Sequence, residues 1–194
     1  MAIKQLSRFI VTPETAKHRF FAFVDSVVAP DNRLWVIASE SAFLLGILSS
    51  SVHVAWGLAA GALLEDRPVY GAPRCFDPFP FPDPPPDLRA KIGTLAERLD
   101  SHRKDALARD ERITMTGMYN VVEKLRSDET LTVKERAIHE IAACGILRDM
   151  HDELDKLVAE AYGWPWPIAR DEILERLVAL HDERVEEEKH GQIR

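Results

Sequence analysis

Lys17-His18-Arg19 is where this chain could grip a nucleic acid. Arginine can hold a guanine edge or a phosphate through two parallel hydrogen bonds, and lysine adds a point charge beside it. The triplet lies between the Thr12-Pro13 turn and an apolar run beginning at Phe20, which suits a loop or strand end facing DNA. A charged turn that merely starts a strand fits the same spacing. Arg67, Tyr70 and Arg74 make a second basic and aromatic stretch, weaker by itself. Catalytic constellations are missing from the sequence: it contains no glycine-rich phosphate loop, no G-x-S-x-G elbow and no C-x-x-C pair. His139-Glu140 opens an H-E-x-x-H pattern, but Ala143 stands where the second imidazole must be, which excludes a zinc protease. His139 and His151 would lie about 120° apart around a helix and share no face. His151-Asp152-Glu153 with Lys156 reads as a solvated helix surface carrying i,i+3 and i,i+4 charge pairs. His53 and Trp56, one turn apart in an apolar segment, read as packing. Cys75 and Cys144 are far apart and read as reduced thiols of a cytoplasmic protein, with no metal site.

Elements that would position these residues change in character along the chain. Leu6–Val11, Phe20–Val24 and Leu34–Ala38 are β-branched or aromatic runs separated by turn residues, and they predict three strands, the last two paired through the Pro30–Asn32 loop. Ser39 or Ser41 caps a helix to Leu48, Ser49-Ser50-Ser51 breaks it, and a second helix runs from Val52 to Leu64 with Val52, Trp56 and Leu63 apolar. Residues 41–64 are long and weakly charged, but they contain His53 and lack flanking basic clusters, so a buried helix pair explains them better than a membrane span. Four helices are expected later. Asp87–Asp110 has Leu88, Ile92, Leu95 and Leu99 on one face. Thr114 or Thr116 caps a segment to Leu125, with Met118, Val121, Val122 and Leu125 apolar. Thr132 and Glu135 form a capping box that opens the longest helix, which runs to Ala161 with Ile138, Ile141, Ile146, Leu154 and Leu157 inward. Gly145 in its middle costs about 1 kcal/mol relative to alanine and marks close packing or a break. Asp171–Glu187 is the last, with Ile173, Leu174, Leu177 and Leu180 inward and a charged tail fraying from Glu183.

Between the two grammars lie thirteen residues, RCFDPFPFPDPPP from Arg74 to Pro86, with six prolines. Proline fixes φ and lacks an amide donor, so this stretch is expected to run extended. Phe76, Phe79 and Phe81 predict a strap pinned to its flanking bodies, against the simpler reading of a semi-rigid spacer.

The totals fit a soluble globular chain of 194 residues, 46% apolar and 29% charged. MAIKQLSRFIVTPE has no apolar core of a secretory signal. Residues 1–80 hold seven of the 25 Lys/Arg and seven of the 32 Asp/Glu, leaving 18 against 25 and the whole −7 beyond them. Lys4, Arg8, Lys17 and Arg19 face only Glu14 in the first twenty residues. Nucleic-acid contact is therefore expected from the first part, and weak there alone.

Arg8-Phe9-Ile10-Val11-Thr12-Pro13, Lys17-His18-Arg19, Leu34–Ala38, Gly46–Ser50, His53, Trp56, the Phe79-Pro80-Phe81-Pro82 strap, Met118-Tyr119-Asn120, Tyr162-Gly163-Trp164-Pro165 and the closing EILERLVAL resemble the C-terminal region of MmeI-type (type IIL) restriction–modification DNA methyltransferases. The resemblance spans essentially the whole chain. It implies the latter part of a target-recognition domain followed by a helical domain, in enzymes where nuclease and methyltransferase domains come first. The Asn-Pro-Pro-Tyr motif and the S-adenosylmethionine loop of the family's methyltransferase do not occur here, nor does its nuclease motif. The segment Gly57–Tyr70 departs from the glycine-rich pattern expected before the strap, which leaves the recognised site open.

The expected fold is an α+β N-terminal lobe, a small sheet with two helices over 1–82, followed by an all-α domain over 83–194. The chain is predominantly helical overall. The resemblance implies a non-catalytic, DNA-recognising portion of an adenine-specific methyltransferase. It would contact double-stranded DNA through Lys17, His18 and Arg19, with Arg67, Tyr70 and Arg74 as second-choice contacts. A catalytic methyltransferase domain in cis or trans would supply S-adenosylmethionine chemistry, with no cofactor on this chain and no membrane. Starting at its own Met1, the chain is expected to be an expressed fragment, a split subunit or a remnant gene. The competing expectation, from the −7 charge, is a helical protein–protein adaptor that binds no DNA.

Overall fold

The computed structural model describes residues 5–64 and 67–191, so Lys4 of the N-terminal basic group lies outside the described residues. β1 (Arg8–Pro13), β2 (Ala22–Asp25) and β3 (Leu34–Ile37) form an antiparallel sheet in the order β2-β1-β3. Ile10 faces Phe23 on one side and Ile37 on the other. The expected β2–β3 pairing is therefore wrong. Phe9, Ile10, Val11 and Thr12 are buried without a gap, whereas β3 is only half-buried, so the run with least exposure takes the centre and the other two flank it. Both flanking strands run against β1 and hence parallel to each other, a relation no tight turn can join.

Ser41 caps α1 (Ala42–Ser49), its Oγ accepting the Leu44 N–H at 3.2 Å. Ser50 is extended and opens α2 (Ser51–Ala60), as the triple serine predicts. No single described helix is long and apolar enough to cross a membrane; α1 and α2 form an apolar pair bent by 63°, with much of both helices packed inside the protein. The expected extension of α2 to Leu64 fails. Gly61 ends the helix, and β4 (Ala62–Leu64) pairs with β5 (Arg67–Val69) as a hairpin that leaves Leu63 71% exposed.

The strap begins differently from expectation. Ala72–Phe76 forms a π-helical turn, so Arg74, Cys75 and Phe76 are not extended. Pro73 sits in the first two positions of that turn, where no amide donor is needed, and the next proline is Pro78, beyond its end. From Phe79 onward the strap carries no regular element and is pinned as expected. Phe79 is buried and packs edge-on against His53 at 4.4 Å and Phe81 at 4.8 Å, while Tyr162 donates its hydroxyl to Pro80 O at 2.9 Å.

Five helices follow instead of four: α3 (Pro86–Arg109), α4 (Met115–Arg126), α5 (Val133–Ala142), α6 (Cys144–Ala161) and α7 (Arg170–Lys189). Thr132 and Glu135 make the predicted capping box. The helix they open stops at Ala143, whose φ of 45° is left-handed, so the break falls two residues before Gly145. That turn lets Ile138 and Ala142 enter the same core as Leu147, Met150 and Leu154, and it leaves Ile146, expected inward, mostly exposed. The C-terminal tail does not fray at Glu183; α7 continues to Lys189.

One apolar cluster runs through Ile47, Val52, Trp56 and Phe79, then Ile92, Leu99, Met118, Leu154 and Leu177. Residues on both sides of position 82 thus share a core. A second cluster joins Ile10, Phe21, Phe23, Leu45, Leu48 and Tyr70 to Ala96 of α3. α1 lies tight on α3: a Cβ on Gly46 would meet Ile92 Cγ2 at 2.6 Å, a distance no side chain tolerates.

Candidate nucleic-acid interface

The end of the sheet marked by Pro13 gathers segments that are distant in sequence. Thr15 bridges Val69, and the Tyr70 N–H donates to Glu14 O at 2.8 Å, so the loop after β1 lies along the β4–β5 hairpin. The Glu14 N–H donates to Arg33 O at 2.8 Å, which brings in the start of β3. The two basic stretches read separately in the sequence are therefore neighbours. Lys17, Arg33 and Arg67 are exposed on these segments, and Arg74 is exposed in the turn at Ala72–Phe76.

Two of the six sequence-derived candidates are corrected by this geometry. Arg19 donates to Thr12 Oγ1 at 3.0 Å, to Pro68 O at 3.2 Å and to the Pro13 carbonyl, and its guanidinium lies 5.1 Å from the Tyr70 ring centroid. Burial pulls its pKa below the usual arginine value. Its donors are spent on holding the loop to the hairpin, so it is a strut. Tyr70 is 2% exposed and shares a 3.0 Å hydrogen bond between its hydroxyl and His53 Nε2. Burial raises the Tyr70 pKa and lowers that of His53 to about 3, so both are neutral core groups.

Lys17 and His18 are anchored at the other end of the loop. Asn120 Oδ1 accepts Lys17 Nζ at 2.7 Å and His18 Nε2 at 2.8 Å, and the His18 ring lies 6.0 Å from that of Tyr119. Lys17 Nζ also lies 3.3 Å from Glu123 Oε2, and Arg8 Nη1 donates to Glu97 Oε2 at 3.0 Å. Arg8 and Lys17 thus face acids and acceptors of α3 and α4. Lys17 keeps more than half of its side chain in solvent.

Behind the loop, a polar seam joins sheet to helices. Arg103, 1% exposed, donates to Phe21 O at 2.7 Å, to Tyr119 Oη at 3.0 Å and to Asp100 Oδ1 at 3.3 Å. Asp100 also accepts the Phe23 N–H at 3.3 Å and pairs with Lys104 at 2.6 Å. The Tyr119 hydroxyl, accepting from Arg103, shares a further hydrogen bond with His151 Nε2 at 2.9 Å. His151 is buried, and its pKa falls to about 3 through desolvation and the nearby Arg103 and Arg126. The solvated-surface reading of His151 is thereby overturned: Leu147, His151, Leu154 and Val158 share the inward face of α6.

Sequence reasoning missed the apolar tip beside the basic residues. Leu63 and Leu64 are 71% and 59% exposed on the hairpin. Two adjacent leucines at a predicted helix end read as core, and only the sheet pairing after Gly61 turns them out. Arg33, directly after the Pro30–Asn32 loop, was not among the sequence-derived candidates.

No protein-family model matches the chain. It is 27% identical over 184 residues to DNA methyltransferase A of Bacillus subtilis (strain 168), covering 91% of this chain and 18% of that protein. Its fold is similar to part of the type IIL restriction–modification enzyme MmeI, solved in complex with DNA, with a TM-score of 0.73 and 22% identity over 93% of this chain and 22% of that one. The chain therefore spans about a fifth of the length of each. The resemblance to MmeI-type enzymes holds, as does the α+β, predominantly helical fold.

Proposed function

We propose that this chain is the DNA-reading and bracing portion of a restriction–modification methyltransferase, with methyl transfer carried out by a domain outside it. The observation that carries the reading is that the loop bearing Lys17, the start of β3 at Arg33 and the hairpin bearing Arg67 and the exposed Leu63–Leu64 meet at one end of the sheet. Exposed cations supply phosphate attraction, and a two-stranded ribbon is narrow enough to enter a major groove. The likeness to part of a DNA-bound enzyme supports the same direction. Neither the Asn-Pro-Pro-Tyr motif that would hold a target adenine nor a glycine-containing loop for the methyl donor occurs in this sequence, so no transfer step is routed through this chain. A base presented for methylation and the donor itself would both need a pocket on the partner domain.

A second reading, a protein-binding adaptor, is favoured by one observation. The net charge is −7, and much of the N-terminal positive charge is already paired with α3 and α4. Titration of the chain with duplex DNA across salt concentrations separates the two. A DNA reader loses affinity linearly in log–log salt, and Arg67→Ala or Lys17→Ala each lowers the slope by about one. Absence of binding at about 50 mM salt leaves the adaptor.

A further inference from the structure

Where α2, α6 and α7 converge, a pocket of about 390 Å3 opens beside the first turn of α2, a volume within the range of small-molecule sites. Much of its wall is hydrocarbon, from Val54, Leu58 and Ile168, and the indole of Trp166 reaches solvent at its edge. Asp155 lines it while only 4% exposed. Its Oδ1 accepts the Ser51 N–H at 2.6 Å. Ser51 Oγ lies near the same carboxylate without a well-aligned hydrogen bond. Among the described residues no cation pairs with Asp155. Arg126 of α4, which also faces the pocket, is bonded to Asp152 at 2.5 Å, and Arg170 at the start of α7 is exposed. Burial pushes the Asp155 carboxyl up to about 6, with Arg126 opposing the rise and Asp152 adding to it. A buried carboxylate with a spare oxygen in an apolar pocket is costly unless something meets it.

We propose that this pocket binds a small organic cation, a primary amine on an apolar aromatic stem, with the ammonium on Asp155 and the stem against Trp166 and Leu58. A positive charge is what a desolvated carboxylate attracts most strongly, and an indole lining the same pocket adds to that attraction. The site is independent of the DNA-facing end of the sheet, so it stands or falls apart from that reading.

The probe is phenethylamine, with 2-phenylethanol as its neutral analogue, titrated into the whole chain and followed by amide NMR. At pH 7.5 the amine shifts Ser51, Leu58, Asp155 and Trp166 saturably and binds about tenfold or more tighter than the alcohol. At pH 5.0 its affinity drops about tenfold, because Asp155 is then largely protonated. Asp155→Asn keeps an acceptor for the Ser51 N–H and reduces the amine to the affinity of the alcohol. Trp166→Ala removes part of the stem contact and weakens both ligands. Equal affinity for amine and alcohol, a pH-independent amine affinity, saturable binding unchanged in Asp155→Asn, or no saturable shift at these residues overturns the proposal.

Discussion

At the open end of the sheet, Lys17, Arg33 and Arg67 reach solvent on segments joined to a hairpin with two exposed leucines; behind it, Arg103, Asp100, Tyr119 and His151 are sealed between the sheet and the helices. Both regions are built from cations, carboxylates and aromatics. In the first, the charged side chains stay largely in solvent, so they contribute little to stability and much to long-range attraction. In the second, desolvation makes each group depend on its partners, so removing one strands the rest. Arg19 shows that the boundary between them is sharp: one residue from His18 in sequence, it belongs to the interior set.

The comparison breaks first at Arg103. Arg103→Met removes the donor to Phe21 O and leaves Asp100 with only Lys104 and the Phe23 N–H, and it should cost about 3–5 kcal/mol in urea denaturation. A loss below about 1 kcal/mol would show that the seam is as forgiving as a surface. Gly46→Ala, which tests apolar packing of α1 on α3 without touching either polar region, should cost about 1–3 kcal/mol by forcing Ile92 aside. Acid sharpens the contrast. His53 and His151 have folded pKa values near 3, below the unfolded value near 6.5, so the unfolded chain takes up their protons first. Stability present above pH 6.5 is lost as pH falls toward 3, by about 1.4 kcal/mol per pH unit for each histidine once both are charged in the unfolded chain. His151→Gln should remove one proton's worth of that slope in denaturation curves taken across this range. The smallest effect is expected at the sheet end. Lys17→Ala and Arg67→Ala each change stability by less than about 0.5 kcal/mol while reducing the salt slope of DNA binding.

Much of the fold was legible because its signals were local. Ser41, Ser50 and Thr132 announce helix starts by side-chain capping, and Leu88, Ile92, Leu95 and Leu99 announce a buried face by their spacing. Strand order was not legible, since nothing local says which of three short runs takes the centre; burial of Phe9–Thr12 decides it. The break was expected at Gly145 and falls instead at Ala143, because a Cβ disfavours positive φ and only packing of two helices into one core holds alanine there. The candidate site was half readable. Basic residues were found by type, but whether a given arginine faces water or a carbonyl is a tertiary fact. His151 was recoverable in principle, because the arithmetic that puts Leu147, Leu154 and Val158 inward includes it. Asp155, one turn further, is likewise buried.

Asn120 gives the loop a second owner. Its one carbonyl oxygen collects both Lys17 and His18, so the position of the sheet end is dictated partly from α4, a hundred residues downstream. A transplant of residues 8–37 into a foreign scaffold would arrive with its tip unmoored. The smallest exchangeable cassette must carry the Tyr119–Asn120 face along.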